Sequence, residues 1–135
     1  MKTDLSGVTA PLSVSPLVAD GLFIRQDEYY KKYFYADILW IEASANYCDI
    51  YFKDKSRITV ACRLGVVERQ LPDAYFARVH RGFILNLRYV DTWAGNSLHA
   101  VGKWFPIGDH YRKNVLACLN ILDTSRENPK TGNGE

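Results

Sequence analysis

The sequence predicts a mainly β protein, built from antiparallel hairpins with a short central helix and a second helix at its end. Three observations point there. Apolar and aromatic residues come in runs of four to eight, the length of strands rather than of long helices. Turn-forming clusters separate these runs: Gln26-Asp27-Glu28, Lys53-Asp54-Lys55 and Gly95-Asn96-Ser97. Helical spacing of apolar residues occurs in only two places, Leu64–Leu71 and Tyr111–Leu122.

The elements follow in order. Residues 1–20 mix Ser, Thr, Pro and Gly with scattered small apolar residues and read as a flexible tail. Leu22 to Arg25 is a short strand, and Tyr29 to Tyr35 an aromatic one, with Lys31 and Lys32 on its wet side. Ile38-Leu39-Trp40-Ile41 is a continuous apolar run that suits a buried strand. Ala43 to Asn46 reads as a loop, and Tyr47 to Phe52 alternates as a strand. Arg57 to Cys62 returns after a charged turn. Leu64, Val67 and Leu71 then mark one helix face, stopped by Pro72-Asp73.

Tyr75 to Val79 and Phe83 to Val90 read as strands on either side of a polar knot, His80-Arg81-Gly82. Leu98 to Val101 and Trp104 to Ile107 form a further pair around Gly102-Lys103. Val115, Leu119 and Leu122 give the last helix its inner face, with Asp109 or His110 as its expected cap. Hairpin turns throughout imply antiparallel pairing. Residues 124–135 are polar and turn-rich and read as a second tail, leaving one domain at 21–123.

Charge narrows the function. The formal net charge is only +2, but it is unevenly spread. Residues 75–118 carry Arg78, Arg81, Arg88, Lys103, Arg112 and Lys113 against Asp91 and Asp109, whereas 21–74 balance. A basic half suits a polyanionic partner, and it also suits an ordinary solvated face.

Catalysis finds little support. The carboxylates are scattered, no phosphate-binding glycine loop or nucleophile motif is present, and His80, His99 and His110 lack metal-ligand spacing. No metal or other cofactor is expected. Cys48, Cys62 and Cys118 form no CxxC pair. Cys62 and Cys118 are expected to be small core residues, and Cys48, beside a contact loop, to be more exposed. No run approaches the roughly 18–20 apolar residues that span a membrane. No signal peptide is evident, so a cytoplasmic protein is expected.

Three polar segments fall at strand ends: Asn46-Tyr47, His80-Arg81 and Gly108 to Lys113. Arg and Lys neutralise phosphate, while Arg and Asn read base edges in the major groove. Each residue also has a structural reading. Tyr47 can pack in the core, His80 can fix its own turn, and Asn86 can satisfy backbone groups. Arg81 is the strongest contact candidate, because burying it unpaired is costly.

These segments carry a resemblance. Residues Asp37 to Tyr47 resemble the D-I-x-x-I-E-A-x-x-N-Y stretch of the LytTR DNA-binding domains of bacterial transcription regulators. Phe76 to Asn86 resembles that family's F-x-R-V-H-R-S-x-I-V-N stretch, and Phe105 to Lys113 its closing L-P-I-[SG]-R-x-Y-K-x stretch. The helix from Leu64 and the Leu71-Pro72 pair fall between the first two. The resemblance covers about residues 21–122. It implies an elongated fold of small antiparallel sheets that meets DNA through loops rather than a recognition helix. It implies paired direct repeats in promoters as the target, with a homodimer as one way to occupy them.

Carried over, the DNA-binding residues are Asn46 and Tyr47 in the first loop, His80 and Arg81 in the second, and Asp109, His110, Arg112 and Lys113 around the third. Two positions depart from the family pattern. Asp109 stands where an arginine is usual, and Gly82 where a serine is usual. Both suggest weakened binding or an altered sequence preference. A protein-interaction module on the same fold is therefore the alternative, with Tyr29 to Tyr35 as its surface. No receiver domain is evident, so the expected input is a separate signalling partner.

Overall fold

A computed structural model describes residues 20–124, and the readings for the rest of the two tails lie outside them. The chain forms ten strands: β1 (Gly21–Arg25), β2 (Tyr30–Phe34), β3 (Ile38–Ser44), β4 (Tyr47–Phe52), β5 (Arg57–Val60), β6 (Phe76–His80), β7 (Phe83–Asn86), β8 (Val90–Ala94), β9 (Ser97–Ala100) and β10 (Lys103–Pro106). Helix α1 (Leu64–Gln70) lies between β5 and β6, and α2 (Arg112–Cys118) follows β10. The fold is mainly β and antiparallel throughout.

A five-stranded sheet in the order β5-β4-β3-β7-β6 is the frame. Side chains alternate along its strands, so each face has its own core. On one face Ile41, Ile50 and Ile84 lie in register across β3, β4 and β7. Helix α1 lays Leu64 and Val67 onto this layer, and Leu71 closes its end, as the helical spacing predicts. The two-stranded β1–β2 sheet adds Ile24. On the opposite face Val79 and Leu85 meet Leu98, Ala100 and Phe105 of a three-stranded sheet, ordered β10-β9-β8, and Val115 of α2.

Several expectations need correction. The run from Phe83 to Val90 is not one strand. It stops at Asn86, passes through a 3-10 turn at Leu87–Tyr89, and resumes as β8, which the sequence reading missed beyond Val90. Asn86 causes the break: its Oδ1 accepts the Arg88 amide at 3.0 Å, a local bond that competes with the ladder. Its Nδ2 donates to the carbonyls of Tyr35 (3.1 Å) and Ile38 (2.8 Å). Asn86 is fully buried with its amide spent on backbone groups, as that structural reading expects.

Strand β3 runs on to Ser44, so the expected four-residue loop shrinks to a two-residue turn, Ala45-Asn46. The last helix ends at Cys118 instead of Leu122, since Leu119 is already extended and Leu122 is 90% exposed. Neither Asp109 nor His110 caps it: Tyr111 holds the cap position and no side chain bonds there. Cys118 is exposed as a result, not core. Cys48 is fully buried, not exposed, because it points inward from β4 and its Sγ donates to the Cys62 carbonyl at 3.1 Å. Burial pushes its thiol up to about 11.

The β9–β10 turn is Val101-Gly102, with φ of 47° and 75°. Two positive φ values in a two-residue loop fit a type I′ hairpin. Gly102 adopts this at no steric cost, whereas Val101 is a β-branched residue held in the left-handed region.

Candidate nucleic-acid interface

The polar knot sits where β6 turns into β7. His80 ends β6 half-buried, Arg81 is exposed, and Phe83 opens β7. The Gly82 amide donates to His80 Nδ1 at 3.0 Å, so a neutral His80 carries its proton on Nε2. The histidine thus fixes its turn, one of the two roles its position allows. Its Nε2 edge is not used by that bond.

Sheet order brings the other loops to the same end. Strand β3 runs antiparallel to β7, so the end of β3 lies beside the start of β7. The Ala43 amide donates to the Gly82 carbonyl at 2.9 Å. Past this bond the β3–β4 hairpin continues without a β7 partner, carrying Asn46 and Tyr47 beyond the sheet. Both are exposed, and Tyr47 is 51% exposed. The core reading of Tyr47 therefore fails: at the start of β4 it lies past the covered part of the sheet.

The third loop packs on the other side of the knot. The Gly108 amide donates to the Val79 carbonyl at 2.8 Å, and the Gly108 carbonyl accepts from the Tyr111 amide at 2.9 Å. A Cβ on Gly108 would lie 3.1 Å from the Tyr111 ring and 3.6 Å from the His80 Cα, so the close approach favours glycine here. Asp109 and His110 are exposed in this loop, and Lys113 is exposed on the first turn of α2.

Two arginines behave differently from Arg81. Arg112 Nη1 donates to the Gly95 carbonyl at 2.9 Å and to Asn96 Oδ1, tying α2 to the β8–β9 turn. Its guanidinium is thus already engaged with the protein. Arg78, only 15% exposed, bonds the knot itself and pairs with Glu68 of α1 at 2.9 Å. Its role as a brace was missed in the sequence, where it counted as one more cation. A cleft of about 480 Å³ opens beside it, lined in part by Glu68, Arg78, His110, Tyr111 and Asn114.

One end of the central sheet therefore gathers Asn46, Tyr47, His80, Arg81, Asp109 and His110 on three adjoining loops, with Lys113 on the helix turn that follows the third. Among the described residues no group of three or more His, Cys, Asp or Glu side chains is placed to hold a metal. Nor is any described helix long and apolar enough to cross a membrane.

Residues 30–120 match the LytTr DNA-binding domain family. The chain belongs to that family. A LytTR domain is a DNA-binding domain, and the loop end just described offers exposed polar and basic side chains. The sensory transduction protein LytT of Bacillus subtilis strain 168 is 30% identical over 91 residues, which are 63% of this chain and 37% of that protein. The chain thus spans little more than a third of that relative's length. A solved Bacillus cereus domain, described as the LytTr DNA-binding domain of a putative methyl-accepting/DNA response regulator, superposes with a TM-score of 0.62 at 18% identity. That match covers 76% of this chain and 98% of the solved one, and it shows a shared fold.

Proposed function

We propose that this LytTR domain is a sequence-specific transcriptional regulator that meets promoter DNA with its three strand-end loops. The observation that carries the reading is the convergence of those loops at one sheet end, with Arg81 exposed at their centre. Arg81 is the base reader of the second loop, with a bidentate bond to guanine as its natural mode. Asn46 reads from the first loop, and Tyr47 flanks it. Lys113 neutralises phosphate beside the third loop, and His80 and His110 offer ring nitrogens to the backbone. Arg112 contributes chiefly by holding α2 in place.

Asp109 repels phosphate and accepts hydrogen bonds, so it suits a cytosine amino group. With helix capping set aside, this is the role its exposure supports. It predicts a target sequence unlike that of relatives with arginine at this position. Paired direct repeats, occupied by two copies of the chain, are the expected target, and a separate signalling partner in the cytoplasm the expected input.

Selection of bound sequences from a random DNA pool tests the proposal. An enriched motif whose binding weakens steeply with salt supports it, at a log–log slope of about −0.9 per phosphate neutralised. No enrichment at low salt overturns it. A second reading, a protein-interaction module, draws on the exposed rings of Phe23, Tyr29, Tyr30 and Phe34 around the β1–β2 sheet. Absence of DNA binding together with capture of a protein partner through these rings would favour it.

A further inference from the structure

Arg78 reaches the knot, α1 and the flank of the third loop from one side chain. Its Nε donates to the His80 carbonyl at 3.0 Å and its Nη2 to the Arg81 carbonyl at 2.6 Å. Its Nη1 pairs with Glu68 Oε1 at 2.9 Å. The guanidinium carbon also lies 5.5 Å from the centre of the Tyr111 ring, next to the third loop. One planar group thus binds α1, the β6–β7 loop and the lead-in to α2.

The two carbonyls it holds belong to the two peptide groups that flank the Arg81 Cα. The second of these is gripped from both sides, since Arg78 takes its oxygen and His80 Nδ1 takes its N–H, the Gly82 amide. With both flanking peptide planes fixed, the φ and ψ of Arg81 are fixed. The direction of its Cα–Cβ bond is then fixed as well.

We propose that Arg78 is a positioning residue for DNA recognition, acting through the backbone of Arg81 rather than by contact with DNA. The proposal rests on the reading of Arg81 as a DNA contact. Glu68 balances the Arg78 charge, and each of the three guanidinium nitrogens donates one bond to a protein oxygen. A lysine would keep the charge but lose the fork, because a single ammonium cannot match the planar three-way geometry.

The test uses Arg78→Lys in the full chain, with Glu68→Gln as a milder second variant that weakens the anchor of the guanidinium. In the free protein, hydrogen exchange of the Gly82 amide is expected to quicken at least tenfold in Arg78→Lys, while amides of β3 and β4 keep their protection. On a selected DNA site, specific affinity is expected to fall about tenfold, with non-specific affinity and salt slope unchanged. Glu68→Gln should move the same readouts in the same direction by less. In an Arg81→Ala background, Arg78→Lys should cause no further loss.

Unchanged Gly82 exchange would overturn the proposal, and so would full additivity with Arg81→Ala. A shallower salt slope in Arg78→Lys would mean direct phosphate contact and would also overturn it. The exchange measurement needs no DNA. Failure of wild-type protein to select any DNA would therefore strike the functional reading and not the local claim about the loop.

Discussion

Strand β7 has two ends, and they use polar residues in opposite ways. At its C-terminal end Asn86 is fully buried and spends its amide on three backbone partners. At its N-terminal end the polar atoms of His80 and Arg78 also serve backbone, but they do so in order to leave Arg81 exposed. One end closes the fold and the other presents a side chain. Four residues, Gly82 to Leu85, separate a residue that holds the fold from the one proposed to read DNA.

The comparison is broken most forcefully at Asn86. Asn86→Ala removes the bonds to the Ile38 carbonyl and the Arg88 amide and leaves the Tyr35 carbonyl with the Ile38 amide alone, and a buried polar group that loses its partner costs about 1–3 kcal/mol. A loss of roughly 3 kcal/mol in urea unfolding is expected, with unchanged DNA affinity below the unfolding transition. Arg81→Ala should do the reverse. Specific DNA affinity falls at least tenfold, about 1.4 kcal/mol, while the thermal midpoint stays within error. Equal affinity for wild type and variant on a selected site would remove Arg81 from the interface.

A smaller effect separates the two cations of α2. Lys113→Ala should make the salt slope of DNA binding shallower by about 0.9 with no change in stability. Arg112→Ala should instead lower stability by about 1 kcal/mol, the usual net worth of such bonds, because it frees α2 from the β8–β9 turn. Titration of thiols sharpens the contrast between inside and outside. At pH 8 the exposed Cys118 should react with a thiol reagent within the folded state, and Cys48 only on unfolding. Cys48 also sets a sign for alkaline stability. Its thiol is raised from 9.0 to about 11, so its contribution is intact below pH 9 and is lost as pH rises toward 11. Cys48→Ala should flatten that decline.

The smallest expected effect is a gain. A Cβ on Gly65 of α1 meets nothing within 4 Å. Gly65→Ala should therefore raise stability by about 0.5–1 kcal/mol and leave DNA binding alone.

Much of this was legible in the residues, and the failures have physical causes. The hairpins, the α1 face of Leu64, Val67 and Leu71, and the backbone role of Asn86 follow from local pattern and from the cost of burying an amide. Cys118 and Leu122 were misplaced because helical spacing continues past the point where Leu119 turns extended. Periodicity marks a face but not a stop. The second half of the β7–β8 run was misjudged because an Asx bond outweighs strand propensity. Arg78, Arg81 and Arg112 are alike in composition. What separates them is which carbonyls the sheet order β5-β4-β3-β7-β6 and the return of α2 bring within reach, and no local pattern encodes that. Asn46, Tyr47 and Arg81 were found by motif, yet that they share one end follows only from antiparallel pairing of β3 with β7.

That shared end has a consequence for how the activity arises in time. Asn46, Arg81 and Lys113 come from three stretches of chain separated by whole strands and by α1, and they meet only when β3, β7 and β10 have all found their partners. Such non-local pairing is slow and comes with global collapse rather than before it. If the three loops read DNA as proposed, recognition is an all-or-none property of the finished domain. A nascent or nicked chain lacking the last hairpin would hold two of the loops without the third, so partial products should not compete for DNA.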